Sequence, residues 1–496
     1  MKEIIIDVQP SDTKVCIVED GQLVEFWVER KNLTRLVGNI YKGKVMNVLQ
    51  GMQAAFVNIG LERNGFLYAG DTLEFHEELA NLTEKKLNLK EGDEVLCQVI
   101  KDQFGSKGAR LTMNLSIPGR LLVLLPQIDY VGVSRKIVDE ERRKHLTELI
   151  SANKPKGLGF ILRTQSEFSD DEEIVQEIAE LCEKWNAIKY DYLRKKSCSL
   201  VYKDEDLAIR AVRDMLRPDV DKVVINDKKL FGEFLVAFAT LHANNPQLFN
   251  LYDEEQLLFV KYKLDKQIDG LLKRRVDLSN GAYLIIDRTE ALTVIDVNTG
   301  KYVGEKNLED TVFGTNKIAA KEIARQLRLR NIGGIVIIDF IDMNDQTHVD
   351  GVLQELRDEL AKDRTRTSLG EMTSFGLVEL TRKKKRGMIE SVMLQDCPYC
   401  KGDGYVWSDE HVIGKIKTHL GELLACNGND AVLLTVATSV FNKLFTAQLL
   451  SKECDCEWRD KRIYVVADDN MHIEHFDVKT LKGAVLDLPN SAKMLY

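Results

Sequence analysis

The sequence predicts a multidomain chain that mixes α+β and α/β parts. Three observations carry this. Residues 36–117 are a run of short alternating strands with Gly-rich turns, the pattern of a small OB-type barrel. Residues 276–382 alternate apolar strands with amphipathic helices, which implies a mixed or parallel central sheet. The 496 residues amount to about three domains at roughly 150 residues each. Hydrophobic residues make up 44% of the chain, enough for ordinary packed cores, and with 8 prolines and no low-complexity tract a long disordered tail is not expected.

Taken in order, residues 1–35 open with IIIDV and KVCIVEDGQLVEFWVER, strands around a Glu-Asp-Gly turn. The barrel pattern of 36–117 follows. Residues 118–275 mix strands and helices. Within them GFILRT is an apolar strand ending at Arg163 and Thr164. DDEEIVQEIAELCEKWNAIKYDYL places Ile174, Ile178, Leu181, Cys182 and Trp185 on one helical face, with acids in its first turn complementing the helix dipole. In 276–395, YLIIDRTEALTVIDVN is a strand pair and EDTVFGTNKIAAKEIARQLRLR a helix with Val312, Ile318, Ala319, Ile323 and Leu327 on one face. GGIVIIDFIDM is so continuously apolar that burial on both faces is expected. A helix (HVDGVLQELRDELAKDRTR) and a strand (FGLVELTR) complete the alternation. The basic run 382–386 leads to a CPYC segment at 396–407, and 408–496 form a small mixed C-terminal region.

The net charge of −9 argues, taken alone, against a nucleic-acid partner, although it says nothing of where charges sit. The N-terminus has the form of neither a signal peptide nor a transit peptide, and no stretch approaches ~18 uncharged apolar residues, so no membrane span is expected. Nine scattered cysteines, an odd number, argue for a reducing cytoplasm rather than a disulfide framework.

The first chemical signal is acidic. Asp296 ends one strongly apolar strand and Asp339 another. Adjacent strand ends would gather hard oxygen ligands suited to Mg²⁺, which favours one or two carboxylates plus water and phosphate oxygens. Asn298 shares the face of Asp296 by strand periodicity, and Asp342 lies nearby in sequence. On the barrel, Phe56 and Phe66 are candidate base-stacking platforms, with Tyr41, Lys42, Lys44 and Lys107 close by. Cys397 and Cys400 read as half of a zinc knuckle, completed either by another chain or by Cys454 and Cys456.

NIYKGKV, QAAFVNIG, ERNGFL, SKGARLT, SRKI, the strand ending at Arg163-Thr164, ALTVIDVNTG, GGIVIIDFIDM and CPYCKGDG together resemble the ribonuclease E/G family, in that family's order over most of residues 1–405. With no long disordered extension, the chain is more similar to the ribonuclease G branch. The resemblance implies an RNase H-like subdomain built from 1–35 and 118–275, with an S1 (OB-type) domain inserted at 36–117. It also implies a DNase I-like catalytic domain at 276–395, a zinc link at 396–407 and a small C-terminal domain at 408–496. The implied activity is Mg²⁺-dependent endonucleolytic cleavage of single-stranded RNA to 5′-phosphate and 3′-hydroxyl ends, in ribosomal RNA processing and mRNA decay. Asp296 and Asp339 match the Mg²⁺ ligands, and Asn298 their supporting asparagine. Phe56, Phe66 and Lys107 match RNA contacts of the S1 domain. Gly119, Val123, Arg163, Thr164 and Arg366 match a pocket for a 5′-monophosphate. Cys397 and Cys400 match a zinc shared by two chains, hence a homodimer that can pair further into a homotetramer.

Two other readings compete: a non-catalytic S1-type RNA-binding or scaffolding protein, and a metal-dependent DNA nuclease. Presence of both strand-end acids speaks against the first. Comparison of matched single-stranded RNA and DNA separates the second.

Overall fold

The computed structural model describes the chain except residues 32–34, 72–88, 104–106, 301–307, 385–387, 426–430, 457, 482–487 and 496. Lys385 and Arg386 of the basic run therefore lie outside the described residues. The chain is mixed α+β and divides into two compact units, Met1–Met393 and Leu394–Tyr496.

In the first unit, strands Lys2–Val8, Asp12–Glu19 and Gln22–Arg30 form an antiparallel meander. Lys2–Val8 also pairs in parallel with Lys222–Ile225, which pairs with Phe249–Leu251. The N-terminal meander thus completes a sheet whose two remaining strands begin only at Lys222 and Phe249. Its alternate residues Ile4, Ile6, Val15, Ile17, Val223 and Ile225 fill one core, with Ala211 and Val212 of helix Leu207–Met215.

Between these partners the chain forms a closed barrel. Ile40–Leu49, Ala54–Asn58, Gly65–Tyr68, Arg110–Thr112 and Glu94–Lys101 pair in that order, and Glu94–Lys101 pairs back onto Ile40–Leu49. Val45, Val57, Leu67, Cys97, Val99 and Leu111 fill its interior. Closure leaves these five strands without an unpaired edge within the barrel. A further four-stranded sheet, Val131–Val133, Gly159–Leu162, Leu122–Leu125 and Ile117–Pro118, packs on helices Glu140–Asn153 and Asp171–Arg194. The second helix buries Ile174, Ile178, Leu181 and Trp185, the face its periodicity predicts.

The six-stranded sheet that follows runs Arg275–Asp277, Tyr283–Arg288, Leu292–Asn298, Gly334–Asp339, Leu377–Arg382, Thr367–Met372. It is mixed: only Leu292–Asn298 and Gly334–Asp339 are parallel. Helix Leu308–Leu329 makes the crossover that a parallel pair needs. It packs beside helix Gln346–Ala361 in one core with Ile295, Val297, Val336 and Ile338. Burial of Gly334–Asp339 on both faces is not what forms. Val336 and Ile338 are buried while Ile335 is 48% exposed. Both helices bury their apolar stripes in the single core of Val336 and Ile338, so the alternate residues of the strand face away from it.

The start of that strand is tied down by a buried ion pair. Arg382 donates from Nε to Asp363 Oδ2 at 2.7 Å and from Nη1 to the carbonyl of Ile332 at 2.8 Å, and both charged side chains are about 95% buried.

The second unit has a four-stranded sheet, Phe476–Thr480, Ala431–Ala437, Arg462–Asp468, Lys493–Met494. Val412, Ile416 and Leu420 of helix Asp409–Ala425 pack with Leu434, Val436 and Val465. Among the described residues no helix is long and apolar enough to cross a membrane.

Breaking the Arg382–Asp363 pair from one side leaves an uncompensated buried charge. Arg382→Met should therefore cost about 3–5 kcal/mol, seen as a lower urea midpoint. Adding Asp363→Leu should recover part of the loss, because no orphaned charge then remains. A single variant as stable as the parent would contradict this.

Candidate active site

Strands Leu292–Asn298 and Gly334–Asp339 pair in parallel with Ile295 beside Ile338 and Asp296 beside Asp339. Residues aligned in this way project to the same face. Ile295, Val297, Val336 and Ile338 point into the core, so Asp296 and Asp339 point together to the open face. Asn298 shares that face and donates from Nδ2 to Asp296 Oδ2 at 2.8 Å, which fixes the carboxylate's orientation.

The strand is also held just beyond Asp339. Buried Asn316, on the crossover helix, donates to the carbonyl of Ile341 at 2.8 Å and accepts from its N–H at 3.2 Å. Burial, then the negative charges of Asp296 and Asp342, raise the Asp339 pKa above its usual value. Like charges held this close favour a cation between them. Among the described residues no three His, Cys, Asp or Glu side chains gather as a metal site. The donor set is two carboxylates on a solvent-open face, which fits a hard, hydrated divalent ion completed by water and phosphate oxygens.

A second cluster lies around Arg163, at the end of strand Gly159–Leu162. Its guanidinium donates to the Gly119 carbonyl at 2.6 Å and to Asp214 Oδ1 at 2.7 Å. Those bonds occupy two of the five N–H groups of an arginine. Gly119 has no room for a side chain, since a Cβ would sit 2.2 Å from Glu177 Oε1. The buried Glu177 carboxylate in turn accepts the backbone N–H groups of Leu121 and Leu122. Val123 is half-buried on the neighbouring strand, and the Thr164 hydroxyl lies 3.1 Å from that of Ser134.

Arg364 reaches the same place. It donates to the carbonyls of Asp214 and Met215, and burial beside other arginines pushes its pKa down to about 10, so it stays charged at neutral pH. Arg366 is exposed, without an ion pair among the described residues. Burial opposes ionisation of Asp214, but Arg163 and Arg213 outweigh it and hold the carboxyl below its usual pKa.

On the barrel, Phe56 and Phe66 are directly paired across neighbouring strands. Their rings meet edge to face with centroids 5.9 Å apart, and both are half-exposed, outside the barrel core. Lys107 and Lys44 are exposed, whereas Lys42 is drawn into an ion pair with Glu94 at 3.0 Å and Tyr41 is buried in the core.

In the second unit, N–H groups of Cys400 and Tyr399 hold the Cys397 thiol below its usual pKa. The N–H of Gly404 donates to Cys400 Sγ at 3.3 Å. The turn between them has positive φ at Lys401, Gly402 and Gly404, a conformation glycine adopts freely. Both thiols suit a soft cation. Among the described residues Cys454 and Cys456 are not gathered with them into a group of metal-binding side chains.

The family model for the ribonuclease E/G family matches residues 116–385. Ribonuclease G of Salmonella typhimurium is 38% identical over 449 residues, 89% of this chain and 92% of that protein. The chain belongs to the ribonuclease E/G family. Within it, the chain is ribonuclease G-like. Ribonuclease G of Haemophilus influenzae is 37% identical over 484 residues, 96% of this chain and 99% of that protein. Ribonuclease E of Nostoc sp. is 38% identical over 375 residues, but these are only 54% of that longer protein. As a ribonuclease E/G enzyme the chain is an endoribonuclease and not a passive RNA scaffold.

Sequence reasoning leaves three residues of this ribonuclease's clusters unassigned. Asp214 and Asn316 carry no motif, because their partners lie 51 and 25 residues away. Arg364 shares the KDRTRTS segment with Arg366, and only the fold distinguishes the half-buried guanidinium, bonded to Asp214 and Met215, from the exposed one.

Asp214 makes a testable contribution to acid stability. Its folded pKa is depressed, so its stabilisation is complete above the unfolded carboxyl range and is lost as pH falls through the folded value. Asp214→Asn should lower the urea midpoint at neutral pH and flatten its decline between about pH 5 and pH 2. Parallel pH profiles for parent and variant would refute this.

Proposed function

We infer that this ribonuclease E/G enzyme is Mg²⁺-dependent. On this reading it cuts single-stranded RNA to leave 5′-phosphate and 3′-hydroxyl ends, and it prefers substrates with a 5′-monophosphate. The observation that carries the reading is the register setting Asp296 beside Asp339 with Asn298 bonded to Asp296. Asp296 and Asp339 would hold the cation. Bound there, a divalent cation supplies Lewis-acid polarisation of a phosphate oxygen and lowers the pKa of a water nucleophile. Asn298 keeps Asp296 in one rotamer, so the carboxylate need not reorganise when substrate arrives. With water as nucleophile, no histidine base is needed; His348 instead stacks on Phe313, ring centroids 4.4 Å apart.

Phe56 and Phe66 offer faces and edges for base stacking, and Lys107 attracts the backbone. At the 5′ end, Arg163 has N–H groups left over after Gly119 and Asp214, and Thr164 adds a hydroxyl. Arg366 supplies an exposed cation and Arg364 a half-buried one. This set matches a doubly charged monophosphate.

In this scheme residues 1–35 with 118–275 are an RNase H-like subdomain, 36–117 an S1 domain and 276–395 a DNase I-like catalytic domain. Cys397 and Cys400 form half of a zinc link at 396–407, shared by two chains in a homodimer that can pair into a homotetramer. Residues 408–496 close the chain. Ribosomal RNA precursors and mRNA in the cytoplasm are the substrates.

Asp296→Asn and Asp339→Asn should each abolish Mg²⁺-dependent cleavage of a 5′-monophosphorylated single-stranded RNA while binding of that RNA survives. Near-normal turnover by either variant would overturn the assignment. Arg163→Ala should erase the rate advantage of monophosphorylated over 5′-hydroxyl RNA and leave the hydroxyl-ended rate in place. Equal rates on both substrates in the parent would remove the sensor from the scheme. Metal analysis of the purified protein should find about half a zinc per chain, as four thiolates from two chains require. One zinc per chain would exclude the shared link.

A further inference from the structure

A cleft of about 960 Å³, lined at one point by Asp342 three residues after Asp339, opens between helix Gln346–Ala361 and the hairpin that joins Thr367–Met372 to Leu377–Arg382. Phe375 stands at the turn of that hairpin with 84% of its surface exposed and no ring partner among the described residues. Polar residues normally occupy such a turn. This turn is also tightly tied. Thr373 donates its N–H to the Leu377 carbonyl at 2.8 Å, and its hydroxyl oxygen accepts from the Leu377 N–H at 3.2 Å. Gly376 donates to the Thr373 carbonyl at 3.0 Å and takes φ of +77°, open to glycine without strain. The phenyl ring is therefore held out in solvent by a fixed backbone.

Its position relates it to the acidic pair. Leu377 lies directly across from Asp339 in the sheet, and Phe375 is two residues away, at most about 7 Å further along the chain. The turn packs on Asp342, whose Oδ1 is 3.4 Å from where a Cβ on Gly376 would be. Asp342 and Glu371 line the cleft with Arg357, Gln346 and Gln354. Its acids repel phosphate, but carboxylate and amide groups accept and donate to the edges of nucleobases.

We propose that Phe375 is the stacking platform for a nucleobase flanking the scissile phosphate, with the base edge directed into the cleft and the phosphate left outside on Asp296 and Asp339. This deepens the reading of the acidic pair as the cleavage site and rests on it. An aromatic face is sequence-tolerant, so the platform positions the strand more than it selects a base.

The test uses a single-stranded RNA carrying 2-aminopurine at one position at a time around the parent's mapped cleavage site. Binding is followed by fluorescence in EDTA, so that nothing is cut. The parent should change the emission of the probe at one position next to the cleavage site. Phe375→Ala should lose that change, and Phe375→Trp should restore it. In Mg²⁺, Phe375→Ala should raise KM about tenfold, the scale of one lost base stack, with kcat within about twofold. Unchanged emission and unchanged KM in Phe375→Ala would overturn the proposal. So would loss of signal equally at every position, since that reports general weakening of binding. Normal cleavage by Asp296→Asn would defeat the acidic-pair reading instead, and the EDTA measurement separates that failure from this one.

Discussion

The constraint on which the rest depends is the parallel register between Leu292–Asn298 and Gly334–Asp339. Side chains alternate faces along a strand, so a slip of one residue between the two would send one carboxylate into the core. A buried aspartate there would be without a partner and would cost several kcal/mol. The register is fixed at three places. Ile295, Val297, Val336 and Ile338 pack against the two helices. Asn316 clamps both backbone groups of Ile341 past the strand's end. Arg382 grips the Ile332 carbonyl before its start. An open, hydrated face can then carry repelling carboxylates because the energetic work is done on the other side of the sheet.

The net charge of −9 is compatible with an RNA-cutting enzyme because charge acts where it sits. Acids gather at helix starts, as Asp171, Glu172 and Glu173 do at the start of the helix Asp171–Arg194, where Arg120 and Arg142 pair with two of them. Cations are local and partly spoken for: Lys42 is held by Glu94, while Lys44 and Lys107 remain exposed. Among the described residues Arg163 and Arg213 gather on the Asp214 carboxylate and Arg364 on its backbone carbonyl, with Arg213 also paired to Glu205.

How much of this was legible follows from what each contact needs. Periodicity identified the buried faces of the helices Asp171–Arg194 and Leu308–Leu329 and the face shared by Asp296 and Asn298, because these depend on spacing within one element. It misjudged Gly334–Asp339, because an apolar run says how hydrophobic a strand is and not on which side its helices lie. Pairs that join distant segments left no local mark. Asp214 has an ordinary sequence context, and its role comes only from helix Leu207–Met215 meeting the strand that ends at Arg163. Phe375 opens the segment FGLVELTR, which reads as a strand from its first residue; the strand begins only at Leu377, opposite Asp339, and leaves Phe375 in the turn.

The same long-range contacts join the two polar clusters into one frame. Arg163 holds the Asp214 carboxylate, and Arg364 holds the Asp214 backbone carbonyl. Arg364 follows Asp363, whose carboxylate is paired with Arg382, and Arg382 holds the carbonyl of Ile332 two residues before strand Gly334–Asp339. Lys136 adds a bond to the Asp363 carbonyl at 3.3 Å. The links carry charge on at least one partner, and the two made by Arg382 are buried, where such bonds are strongest and least screened. A guanidinium cluster at one end and a carboxylate pair at the other are thus set at a fixed distance by bonds rather than by loose packing. On the proposed reading, with a 5′ end at one cluster and the scissile phosphate at the other, an RNA strand held at both points would lose its freedom when it binds rather than in the transition state.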